Sequence, residues 1–154
     1  MDQKQPAPHS VLRVFLKSIV IHAPVERVFA FHEREDALPL LTPKFPPARL
    51  ISKTGGIITG SRVVMQVGFT RWVALHKDHI PNRLFVDEQI SGPFRRWIHR
   101  HEFEDLGEWT RLTDRIEYEL PGGPIVTAYL GWAVNIGLNR MFNYRHKVTC
   151  AHCG

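Results

Sequence analysis

The stretch RLFVDEQISGPFRRWIHRHEF, Arg83 to Phe103, decides the fold of this 154-residue chain. Two runs rich in β-branched and aromatic residues flank Ser91, Gly92 and Pro93, a pattern that predicts a β-hairpin. By the two-residue period of a strand, Phe85, Asp87 and Gln89 share one face of the first run, and Trp97, His99, His101 and Phe103 share one face of the second. Symmetric pairing about the turn sets Asp87 opposite His99, Phe85 opposite His101 and Gln89 opposite Trp97. Ionisable groups thus fall where a sheet normally turns apolar side chains toward its core.

The neighbouring strands extend the row. Asp105 to Glu108 separate the hairpin from TRLTDRIEYEL, in which Leu112, Asp114, Ile116 and Tyr118 alternate with the water-facing Arg111, Thr113, Arg115 and Glu117. Pairing back about Gly107 places Asp114 beside His99. Pairing RWVALHKDHI about Pro81 and Asn82 places His76 beside Asp87. The expected row is His76, Asp87, His99, Asp114, and it depends on turn geometry, because a one-residue slip moves a strand's whole set to the other face.

Outward from this sheet, APVERVFAFH opens with Ala23 and Pro24 and spaces Val25, Val28, Phe29 and His32 as a short amphipathic helix. Asp36 to Leu41 predicts a second short helix, stopped by Pro43, Pro46 and Pro47. Six strands follow from Ala48, punctuated by Gly55-Gly56, Gly68, Pro81-Asn82, Gly92-Pro93 and Gly107, as an antiparallel meander. Pro121 to Pro124 end the sheet. From about Val126 to His146 or beyond, the proline-free spacing of Tyr129, Leu130, Ala133, Ile136, Met141, Tyr144 and Val148 predicts one long helix. Gly131 and Gly137 each cost such a helix about 1 kcal/mol relative to alanine, which implies close packing or a gap beneath it.

Length and composition fit one domain with a true core, expected over residues 11–149, between a short disordered leader at 1–10 and a tail at 150–154. The formal charge of +5 is scattered among acidic residues, and neither a recognition helix nor an RNA-binding aromatic motif is present, so nucleic acid is not the expected partner. No apolar run approaches the roughly 20 residues needed to span a bilayer, and stable membrane insertion is not expected. Cys150 and Cys153 are the only cysteines, and a bridge at that end would staple little, so a reducing cytoplasm is expected. With His146 and His152 they offer zinc-compatible donors without a second half-site, and no metal site or cofactor is predicted. There is no phosphate-binding glycine loop, serine nucleophile motif or H-E-x-x-H.

A strand, two short helices, six antiparallel strands and a long helix form an α+β helix-grip arrangement, a curved sheet of about seven strands wrapped around the C-terminal helix. This order, with APVERVFAF, FVDEQISGPFRRWIHRHEF, TRLTDRIEYELPGG and LNRMFNYRH, resembles the SRPBCC, or START-like and Bet v 1-like, superfamily, which includes polyketide cyclases and dehydratases. The resemblance covers nearly the whole chain and implies an apolar cavity between sheet and long helix for a small hydrophobic or amphipathic molecule. Fold does not by itself select an activity.

Within such a cavity, a buried polar row must be paired or wet, since an unpaired polar group costs about 1 to 3 kcal/mol and a bare charge more. A ligand-binding protein is the first expectation, lined by Met65, Trp72, Phe85, Trp97, Phe103, Tyr118, Met141 and Tyr144, with His76, Gln89, His101 and Arg140 as polar contacts and Arg145 beside Arg140 to clamp an acidic ligand group. The second is a cyclase or dehydratase in which His99, polarised by Asp87 and Asp114, moves protons. The third is a protein-interaction module on the outer sheet face, whose charged residues suit water better. The row also has a purely structural reading as a hydrogen-bonded ladder that holds strand register.

Overall fold

A computed structural model of the chain describes residues 12–154, and the leader expected at 1–10 lies outside them. The elements run β1 (Arg13–Ile21), α1 (Val25–Glu33), α2 (Ala37–Leu41), β2 (Ala48–Thr54), β3 (Arg62–Val67), β4 (Thr70–Ile80), β5 (Leu84–Ser91), β6 (Arg96–Asp105), β7 (Thr110–Glu119) and α3 (Pro124–Cys153). All seven strands form one antiparallel sheet in the order β1-β7-β6-β5-β4-β3-β2. The meander from β2 to β7 uses turns between sequential neighbours, and β1 closes the far side against β7.

The alternating pattern of β7 shows why the sheet faces as it does. Thr110, Leu112, Asp114, Ile116 and Tyr118 are all buried, whereas the residues between them, Arg111 to Glu117, are exposed or half-buried. One exception closes the strand: Glu119 is buried beneath the exposed Arg95, whose guanidinium lies 3.4 Å from its carboxylate. Pro24 caps α1 at φ −59°, a value its ring presets, and the helix buries Val25, Val28, Phe29, Phe31 and His32.

The inward face carries two apolar clusters. One gathers α1 with Ile21, Phe85, Phe103, Leu112 and Cys153. The other packs Phe15, Trp97, Ile116 and Tyr118 under Leu138 and Phe142 of α3. Between them, on three strands and one helix in parallel, the sequence switches to polar groups: Asp87 after Phe85, His99 and His101 between Trp97 and Phe103, Asp114 between Leu112 and Ile116, and His146 after Phe142.

The register agrees with expectation at Asp87↔His99, Phe85↔His101 and His76↔Asp87. It differs at β7, where Asp114 pairs with His101 and His99 faces Ile116. The cause is the turn: Leu106 to Trp109 form a four-residue loop, closed by the Leu106 amide on the Trp109 carbonyl, with Gly107 at φ 81°. That loop shifts the ladder by two residues, which keeps Asp114 on the same face. The β5–β6 ladder ends at Glu88↔Ile98, one pair short of Gln89 and Trp97, because the Gln89 side chain folds over the turn to bond the Phe94 backbone.

The long helix extends beyond its expected bounds. It continues through the segment expected as a tail to Cys153, which is fully buried against α1. Gly131 gives close approach, since a Cβ there would strike the Arg13 side chain and its carbonyl accepts the Tyr118 hydroxyl at 2.9 Å. Gly137 faces open space.

Candidate functional site

Asp114 is the centre of the polar layer. His99 Nε2 donates to its Oδ1 at 2.8 Å, His101 Nδ1 lies 3.0 Å from the same oxygen, and His146 Nε2 donates to Oδ2 at 2.7 Å. The pairing of His99 with Asp114 is therefore diagonal across the ladder, within reach of a long side chain. Asp87 stands on the opposite side of the two imidazoles: its Oδ1 is 3.5 Å from His99 Nδ1 and 3.5 Å from His101 Nε2. The two rings are tilted by 37° with centroids 3.7 Å apart, and His101 stacks on Phe85 at 3.9 Å. Phe142 meets the His99 ring edge-on at 5.3 Å. Asp114, His99 and His146 are each less than 5% exposed.

Burial and charge oppose each other here. Burial pushes the Asp114 carboxyl up, but the imidazoles of His101, His146 and His99 outweigh it and hold the group well below the usual carboxylate range. Asp87 follows the same logic, with burial overcome by His99 and His101, and falls to about 2. Burial, with His101 alongside, lowers the pKa of His99. For His101, burial is overcome by its contacts with Asp114 and Asp87, and its pKa rises. Two rings this close cannot both carry charge cheaply, and the shifts accordingly run in opposite directions, down at His99 and up at His101.

The layer forms the floor of a cavity of about 220 Å³ between the sheet and the helices. Asp87, His99, His101 and His76 line it together with Met65, Trp72, Phe85, Trp97 and Met141. Trp72 meets Trp97 edge-on at 4.9 Å, which makes one aromatic wall. The opposite rim comes from α2 and the proline-rich segment, through Leu38, Leu41, Pro43 and Pro46.

Other expected site residues lie elsewhere. Phe103 is core beside α1, and Tyr118 is buried with its hydroxyl bonded to Gly131 and Asn135. Gln89 is committed to its turn. Arg140 is exposed, and Tyr144 sits at the surface with its hydroxyl on the Leu40 carbonyl. None of these five lines the cavity. Asp114 lies behind the lining, in contact with His99 and His101, which form part of it.

Two contributors, His146 and His32, were not placed at the site by sequence reasoning. His146, grouped with the terminal cysteines, belongs to the layer. Its signal was helical spacing, since Leu138, Phe142, His146, Thr149 and Cys153 form one buried stripe. Of the two α3 arginines expected to clamp an acidic ligand group, Arg145 lines the cavity and Arg140 does not, and the Arg145 Nε bonds the Leu41 carbonyl at 3.1 Å. His32 also lines it, with Nδ1 2.8 Å from the Val28 carbonyl. As to metal-binding capacity, one ligand atom each from Asp87, His99 and His101 lie within 4.8 Å of one another.

A seven-stranded antiparallel sheet gripping a long C-terminal helix, with a polar-floored cavity between them, defines a helix-grip protein of the SRPBCC superfamily. Residues 21–143 match the model for polyketide cyclase/dehydrase and lipid transport, and the chain belongs to that family. Norcoclaurine synthase from Thalictrum flavum, solved with dopamine and hydroxybenzaldehyde, is 15% identical with a TM-score of 0.70 over 99% of each chain. A protein from Thermus thermophilus is 20% identical, with a TM-score of 0.65 over 90% of this chain and 98% of its own. Both similarities establish the fold alone. A nucleoside-diphosphate sugar epimerase from Corynebacterium glutamicum is 26% identical with a TM-score of 0.70 over 89% of this chain. The present chain spans 28% of that protein's length. No curated protein matches the sequence. Among the described residues, no helix is long and apolar enough to cross a membrane.

Proposed function

We propose that the chain binds a small amphipathic molecule between its sheet and α3. The observation that carries this reading is a cavity with apolar walls and an ionisable floor: Met65, Val63, Trp72, Trp97 and Met141 on the sides, and His76, Asp87, His99 and His101 at one end. Apolar burial at roughly 25 cal/mol per Å² supplies affinity, and the polar end supplies orientation. At about 220 Å³, the space is below the roughly 300 to 1,000 Å³ usual for drug-sized ligands, so a compact body suits it better than an extended lipid. Titration of small aromatic carbonyl compounds and phenols should change the fluorescence of Trp72 and Trp97 saturably, and Trp72→Ala should weaken the response. Absence of saturable binding across such a panel contradicts the reading.

A second reading, a cyclase or dehydratase, draws on His101 and His99, which face the cavity while contacting two carboxylates. Such a pair can pass a proton to or from a carbonyl or hydroxyl held above it. His99→Gln separates the two readings. A binder retains most of its affinity, whereas an enzyme binds the ligand and loses turnover.

A further inference from the structure

The geometry points to a divalent transition-metal site formed by Asp87, His99 and His101 at the cavity floor, of the class that takes zinc, where the sequence led us to expect no metal. An ionised Asp114 can only accept hydrogen bonds, so the His99 nitrogen facing it, Nε2, carries the proton. Neutral His99 then turns an unprotonated Nδ1 toward Asp87. His101 is arranged in the mirror sense, with Nδ1 at Asp114 and Nε2 toward Asp87. A ligating imidazole must be neutral, so metal binding releases any proton held by His101, and two nitrogen lone pairs and a carboxylate then converge.

The distances fit an ion better than a hydrogen bond. Asp87 Oδ1 is 3.5 Å from both nitrogens, beyond the roughly 2.7 to 3.2 Å of a good hydrogen bond to nitrogen. Ligands held about 2.0 to 2.1 Å from a tetrahedral ion are separated by about 3.3 to 3.4 Å. All three donors line the cavity, so the remaining coordination position opens onto it, as in sites where three protein ligands leave room for water or a substrate oxygen. Behind them, Asp114 holds the distal nitrogens of both histidines, the carboxylate–histidine arrangement that orients metal ligands, and His146 fixes its second oxygen. Two imidazoles and one carboxylate suit zinc and its first-row neighbours rather than magnesium or calcium, which prefer oxygen.

The test uses full-length protein stripped with a chelator, titrated with Zn(II) against a chromogenic competitor. One zinc per chain is expected. Asp87→Asn and His101→Gln should each weaken binding by about tenfold or more, and Asp114→Asn, a positioning change, by about 10- to 100-fold. The double variant Cys150→Ser, His152→Gln should bind as the parent does. Long-range nitrogen NMR of the unaltered protein covers the case in which a variant misfolds: zinc should shift His99 Nδ1 and His101 Nε2. Lack of stoichiometric binding, affinity unmoved by Asp87→Asn, loss in the Cys150/His152 variant, or unshifted ring nitrogens would each overturn the assignment. Zinc is measured without organic ligand and ligand binding in the presence of chelator, so either can fail alone.

Discussion

Asp114 shows how one residue can organise a layer. It is a charged group in the core that accepts hydrogen bonds from two elements, β6 and α3. Removing one partner of a buried ionic cluster costs about 3 to 5 kcal/mol, because the remaining charge stays buried without compensation. Asp114→Asn keeps the shape and removes the charge, so urea unfolding should show a loss of about that size. A loss below about 1 kcal/mol would mean the histidines are satisfied without it.

His32 gives a prediction in pH. Burial lowers its pKa from 6.5 to about 4, opposed by its bond to Val28, with His101 and Arg145 lowering it further and Asp114 raising it. Above pH 6.5 the ring is neutral folded or unfolded, and its full contribution is present. As pH falls from 6.5 toward 4, the unfolded chain takes up a proton that the folded one resists, and stability drops by about 3 kcal/mol. His32→Gln should flatten the fall in urea midpoint across that window relative to the parent. Parallel curves would show that this ring does not titrate as its burial implies.

At the scale of elements, α3 illustrates what patterning reveals and what it hides. Its existence is legible from a proline-free stretch of apolar spacing after Pro124. Its far end is not, because Cys150 and Cys153 look like a terminal tail until the buried stripe is continued through His146 and Thr149. The two glycines on this helix should respond differently to alanine. Gly137→Ala meets nothing and should stabilise by about 1 kcal/mol, whereas Gly131→Ala must displace Arg13 and gain less or lose. Thermal unfolding of the two variants distinguishes them.

The strands were readable for a related reason. The two-residue alternation identifies faces, and turn residues identify partners, so the row containing Asp87, His99 and Asp114 could be found without coordinates. Its exact pairing could not, because the length of the loop from Leu106 to Trp109 sets the ladder and a shift of two preserves every face. Contacts from outside the sheet, His146, Arg145 and His32, depend on how helices dock, which no strand period encodes.

At the scale of the whole molecule, the polar layer separates two apolar clusters and floors the space between sheet and helices. Five ionisable residues from three strands and one helix converge there, an arrangement that costs stability unless each is paired. The same layer gives the cavity one polar end among apolar walls, the feature on which the proposed amphipathic occupant rests. A ligand bound at 100 times its Kd should raise stability by about 2.7 kcal/mol, visible as a rise in unfolding midpoint with ligand concentration.

The most direct measurement of the central claim is native mass spectrometry of the protein, before and after exposure to small aromatic carbonyl compounds and phenols. A single non-covalent adduct per chain is expected, released on denaturation and weakened by Trp72→Ala. A bare chain mass throughout, under conditions that keep the protein folded, would contradict it.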